Sequence, residues 1–135
     1  MGAYTDNSSG AESLNEVLHW NGEEWSQASI PNVGGAGAFD FNSLDGVTCA
    51  SATSCWAVGT YYNDLGWVVN DAIHWDGMMW SSVSIPTPGP NGVDDQLVGI
   101  TCTSPAHCQA VGQDGNKVNQ ALDWNGKQWS TAGEP

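Results

Sequence analysis

The sequence predicts an all-β fold built from repeated four-stranded antiparallel units, and three observations carry that reading. First, a twelve-residue stretch recurs three times, at Asn15–Ser26, Asn70–Ser81 and Asn119–Ser130. Each copy reads Asn, an acid or amide, two apolar residues, His or Asp, Trp, Asn or Asp, Gly, two free positions, Trp and Ser. Second, Leu44-Asp45-Gly46-Val47-Thr48-Cys49 and Cys55-Trp56-Ala57-Val58-Gly59 recur as Leu97-Val98-Gly99-Ile100-Thr101-Cys102 and Cys108-Gln109-Ala110-Val111-Gly112. Third, no long stretch has the 3.6-residue apolar period of a helix, while Gly, Ser, Asn and Asp punctuate the chain throughout.

Each twelve-residue copy reads as a strand, a tight turn at Asn-Gly or Asp-Gly, and a second strand. Six of the eight tryptophans lie in these copies. The cysteine-containing stretches read as a second kind of hairpin, with five-residue turns at Ala50–Ser54 and Thr103–His107. Met1-Gly2-Ala3-Tyr4 aligns with Val58-Gly59-Thr60-Tyr61, so the numbered chain is expected to start inside a unit, without the equivalent of Leu44 to Ala57. The expected units are a partial one at 1–31 and complete ones at 44–86 and 97–135, eleven strands in all.

Between units lie a Gly-rich connection, 32–43, and a Pro-rich one, 86–96. Proline stops strands, so the second connection is expected to run extended. The two complete units differ by four residues in spacing, a difference that the alignment puts in one loop, 63–69 against 116–118. A four-stranded unit of about 45–50 residues has the size of a propeller blade.

The pattern Leu-x-Gly-Val/Ile-Thr-Cys-x5-Cys-x-Ala-Val-Gly followed by Trp-Asn/Asp-Gly-x-x-Trp resembles repeats of secreted bacterial β-propeller proteins, over nearly the whole chain. The Gly-x-x-Trp turn is loosely similar to the Asp-box turn of sialidase-type and lectin-like propellers, without the Ser-x-Asp-x-Gly order. The resemblance implies a blade architecture. It implies no sialidase activity, because that family works with an arginine cluster and this chain has no arginine.

Charge narrows the partners. Two lysines, Lys117 and Lys127, stand against 15 acidic residues, a formal net charge of -13. Binding nucleic acid means neutralising phosphates with cations, so nucleic acid is not an expected partner. An anionic membrane surface is disfavoured for the same reason, and no stretch is long and apolar enough for a membrane helix. Met1–Tyr4 lacks the basic head and apolar middle of a signal peptide, so the chain is expected to be mature, truncated or exported by another route.

Cys49 with Cys55 and Cys102 with Cys108 flank hairpin turns, and facing positions on antiparallel strands approach the span of a disulfide. Two intra-hairpin disulfides are expected, and with them an oxidising, extracellular or cell-surface setting. A metal site is the weaker reading, since the pairs are C-x5-C and lie in different units. No cofactor and no catalytic residue are expected. Glu23 and Glu24 fall at free turn positions, and His19 and His74 share a strand position that is Asp123 in the third unit. Asp94-Asp95 and Asp114-Gly115-Asn116 could offer oxygens to calcium but fit no dense calcium pattern.

Most of the repeating tryptophans are expected to be core, packed between adjacent blades. Trp67, Tyr61, Tyr62 and Tyr4 are the better candidates for stacking on a sugar ring, Trp67 because it has no repeat equivalent and sits in the variable loop. The expected function is a non-enzymatic, lectin-like extracellular binding module for neutral glycans or a protein surface. The alternative is a structural building block of a self-assembling propeller, surface layer or filament. Three blades do not close a ring, so the chain is expected to be part of a longer array or a homo-oligomer, most simply a dimer.

Overall fold

The recurring stretches are rich in Val, Ile, Thr, Trp and Cys, residues that suit a pleated, half-buried surface, and they form strands. The computed structural model describes residues 14–35, 41–89 and 94–132 with their side chains, and 2–6 as backbone. Among the described residues there are eleven strands and no helix. They are β1 (Gly2–Asp6), β2 (Leu14–Trp20), β3 (Trp25–Ala28), β4 (Asn42–Ser51), β5 (Ser54–Tyr62), β6 (Val68–Trp75), β7 (Trp80–Ser82), β8 (Asp95–Ser104), β9 (His107–Asp114), β10 (Asn119–Trp124) and β11 (Trp129–Thr131). They form three antiparallel meanders: β1-β2-β3, β4-β5-β6-β7 and β8-β9-β10-β11.

The Trp hairpins close on facing tryptophans, Trp20 with Trp25, Trp75 with Trp80 and Trp124 with Trp129. The turn between them is a four-residue loop, wider than the Asn-Gly dipeptide suggests. In each, the Asn or Asp side-chain oxygen accepts two backbone N–H bonds, as Asn21 Oδ1 does from Glu23 and Glu24 at 2.8 and 2.9 Å. Asp76 and Asn125 do the same. The next residue is glycine at φ 103°, 99° and 95° for Gly22, Gly77 and Gly126, a region that side chains strongly disfavour.

The cysteine hairpins are tighter than a five-residue turn. Ser51 pairs with Ser54 and Ser104 with His107, leaving two residues at each tip and a bulge behind it. Cys49 faces Cys55 and Cys102 faces Cys108, and both pairs are disulfides with Cα atoms 3.9 and 4.0 Å apart. Farther along, β4 and β8 bulge between Leu44 and Gly46 and between Leu97 and Gly99. The partner strand comes so close there that a Cβ on Gly59 or Gly112 would overlap the carbonyl of Ser43 or Gln96.

The β5–β6 and β9–β10 connections correct the expected loop variation. Both are five-residue loops, 63–67 and 114–118, between the pairs Tyr62–Val68 and Gln113–Asn119. Asn63 Oδ1 accepts from Leu65 and Trp67 N–H, and Asp114 Oδ1 accepts from Asn116 and Val118 N–H. The four-residue difference is therefore two extra residue pairs of strand in the second sheet. Trp67 has a structural counterpart after all, Val118, at the same step of the same loop.

The sheets pack face to face with the second in the middle, and β4 lies against β8 on one side and β1 on the other. Alternate residues of β5 serve opposite neighbours. Trp56 and Val58 enter a cluster with Ala72, Leu97, Cys108, Ala110, Leu122 and Trp129, towards the third sheet. Cys55 and Ala57 join Val17, Leu44, Ile73 and Trp80, towards the first. Seven consecutive residues, Ser54–Thr60, are buried for that reason.

Candidate functional site

The expected glycan-stacking residues are only partly brought together. Tyr61 is half-buried, and its phenol pKa is raised by burial and by the nearby carboxyls of Asp71 and Asp64. Tyr62 is exposed and its ring packs on Phe41 at 4.9 Å between centroids. Trp67 is half-buried at the end of its loop, and its backbone closes that loop by accepting from Asn63 N–H. The side chain of Tyr4 lies outside the described residues; its backbone is in β1, opposite Glu16. The arrangement leaves the exposed Tyr62 ring, backed by the half-buried Phe41, next to the 63–67 loop.

The histidines and acids take structural roles. His74 rests on Trp56 at 4.5 Å, its Nε2 is 3.1 Å from Ser54 Oγ, and burial lowers its pKa while Asp76 raises it. His19 and His107 are exposed. Glu23 and Glu24 lie in an exposed loop. Asp94 Oδ1 accepts from Val68 N–H at 3.3 Å, and Asp114 holds its own turn. Among the described residues no three or more His, Cys, Asp or Glu side chains are grouped to hold a metal ion.

Each end of the stack carries a concavity. On the third sheet, a concavity of about 460 Å³ is lined by Val98, Val111, Asn119, Ala121 and Ala132, with Asp95 and Asp114 at its margin. Val98 and Val111 are 57% and 43% exposed, yet Val58, which occupies the position of Val111 in the second sheet, is fully buried. Asp95 is covered, one carboxyl oxygen accepting from Gly89 N–H at 3.2 Å and the other without a hydrogen bond; burial raises its pKa. Its counterpart Asn42 satisfies the preceding crossover from both ends of its amide, accepting from Gly34 N–H and donating to Gly35 C=O.

The opposite end holds the repeating tryptophans that are not core. Trp80 and Trp129 are buried, and Trp75 and Trp124 are half-buried. Trp20 and Trp25 are 44% and 55% exposed, because among the described residues no sheet covers that face of the first one. They remain paired with one another at 5.5 Å.

Polar side chains mark the seams between sheets. At the second seam Asn70 Nδ2 donates to Gln120 Oε1 at 2.8 Å, and to Pro86 C=O at 2.9 Å. At the first seam Asn15 faces Asp71. Burial pushes the Asp71 carboxyl up to about 6, against smaller lowering effects from the Ala72 N–H and the Asn15 side chain. The Asn15 side-chain amide and Asp71 Oδ2 make no hydrogen bond of ordinary length, and at the second seam the indole N–H groups of Trp56 and Trp129 are likewise without one. No protein-family model matches this chain, and no curated protein or solved structure matches it significantly.

Proposed function

We propose that the chain is a non-enzymatic building block, a set of β-propeller-type blades that works by assembling into a larger extracellular body. The observation that carries this is the stacking of the meanders. Their first available strands, β1, β4 and β8, adjoin in sequence, as inner strands do around a propeller axis, and the outer sheets each keep one broad face uncovered. The two disulfides suit the oxidising setting of a secreted or surface protein. Light scattering tests the reading: a mass of more than one copy, with closed or linear particles in electron micrographs, is expected, and a chain that stays single at high concentration sinks it.

A second reading, a lectin-like module for neutral glycans, rests on the exposed Tyr62 ring packed on Phe41. An exposed ring beside a loop is a stacking platform for a pyranose face. A glycan array separates the two: sugar binding lost on Tyr62→Ala favours the second reading, and binding to no sugar favours the first.

A further inference from the structure

Resting on the building-block reading, we propose that the open face of the third sheet receives the open face of the first sheet of a second copy, head to tail, in the register the two internal seams already use.

Each internal seam has a receiving and a docking side. At the second seam the receiving side is Trp56, Val58, Ala72 and Val83, and the docking side includes Leu122, Trp124 and Trp129. At the first seam Val17 and Ala28 receive Ile73, Trp75 and Trp80. Repeat alignment carries both sets to the ends of the stack. The receiving positions of the third sheet hold Gln109, Val111, Ala121 and Ala132; the docking positions of the first hold Leu18, Trp20 and Trp25. Counterparts of these residues are buried or half-buried inside the molecule, whereas Val111, Trp20 and Trp25 are exposed.

The polar markers agree. Asn15 faces Asp71, and Asn70 bonds Gln120. The next pair in that series joins Asn119, exposed in the receiving concavity, to Glu16, half-exposed on the docking face. Within one copy these two stand at opposite ends of the stack, so the pair forms only between copies. It unites an amide with an acid, as Asn15 and Asp71 do. The contact is heterologous: two unlike patches meet, and repetition gives a closed ring or an open filament. Two copies would stack six sheets, within the usual range of propeller blade numbers.

The test is complementation. Ala121→Arg disables the receiving face and Leu18→Arg the docking face, both at the surface of one copy, with far-UV circular dichroism checking the fold. Each variant alone is expected to fall to the mass of one chain, and a mixture of the two to recover a heterodimer through the one intact contact. Cross-linking gives a second readout, since no free cysteine competes. A Glu16→Cys chain mixed with an Asn119→Cys chain is expected to form an intermolecular disulfide, and neither is expected to do so alone. If the wild type assembles but the arginine variants still assemble, or Glu16→Cys links to itself, the head-to-tail contact is refuted while the building-block reading stands. A single-copy wild type refutes both.

Discussion

Asp71 offers the sharpest test of how the sheets are joined. It is 2% exposed at the first seam, where burial lifts its pKa from 3.8 to about 6. A folded pKa above the unfolded one means that the fold prefers the protonated acid. The associated stability is fully present below pH 3.8 and is lost as the pH rises through about 6. A rise of about two units, at roughly 1.36 kcal/mol each, costs the folded protein about 3 kcal/mol once the carboxylate is ionised. Asp71→Asn mimics the neutral acid and removes one charge from a strongly acidic chain. It is expected to stabilise the protein by roughly 2–3 kcal/mol at pH 7.5 in urea titrations with the disulfides intact. The gain should shrink towards zero near pH 4. The Tyr61 phenol, held up partly by the Asp71 charge, should titrate at lower pH in the variant. A loss of stability at pH 7.5, or a gain that does not vary with pH, would refute the argument that desolvation of this carboxylate opposes folding.

Other outcomes follow from the packing. Trp56 lies 4.8 Å from Trp124 and 5.2 Å from Trp129, so Trp56→Ala is expected to cost about 3–5 kcal/mol and to expose both partners, read as a red shift in fluorescence. Gly59→Ala should abolish the stable fold, because the new Cβ meets backbone rather than a movable side chain; Gly66→Ala, with open space around it, should cost only the strain of its φ of 77°. Replacing Cys49 and Cys55 together by serine should lower stability by about 2 kcal/mol, the closure entropy of so short a loop, as measured by urea titration. Asp95→Asn should stabilise at neutral pH, with the advantage fading in acid, since the raised pKa of Asp95 has the same sign of linkage as Asp71.

Much of the fold was legible because its determinants are local. The Asn-Gly and Asp-Gly loops, the cysteines on facing strands and the strand order follow from residues close in sequence, and the repeat multiplies each signal. Strand length between loops was not legible. An alignment reads four extra residues as a longer loop, whereas the backbone uses them as Tyr61–Val69 and Tyr62–Val68 pairs and keeps the loop at five residues. The role of Trp67 changed for that reason. The site was less legible still, because exposure depends on which neighbour a repeated residue has. Trp25, Trp80 and Trp129 share one sequence position, and only the first is exposed.

That dependence on neighbours also explains where the units depart from one another. Trp56 faces the third sheet and fills its aromatic cluster, whereas its equivalent Gln109 has no sheet to face and bonds Asp123 beside it at 2.9 Å. The acid-or-amide position behaves likewise. Gln120 meets Asn70 as one amide meets another, with no charge to desolvate, and the two side chains are hydrogen-bonded to each other. Asp71 meets Asn15 with a carboxyl whose burial raises its pKa. Glu16 stands at the open end, where solvent reaches its carboxylate. Closing a further seam over Glu16 would desolvate a charge beside Asn119 and draw it towards Asp95 and Asp114, which line the same concavity. Assembly through these faces should therefore strengthen with ionic strength, because salt screens repulsion between acids while apolar burial persists. A contact held by opposite charges would respond the other way, so sedimentation at ~20 mM and ~500 mM sodium chloride, where the screening length falls from roughly 20 to 4 Å, tells the two kinds of seam apart.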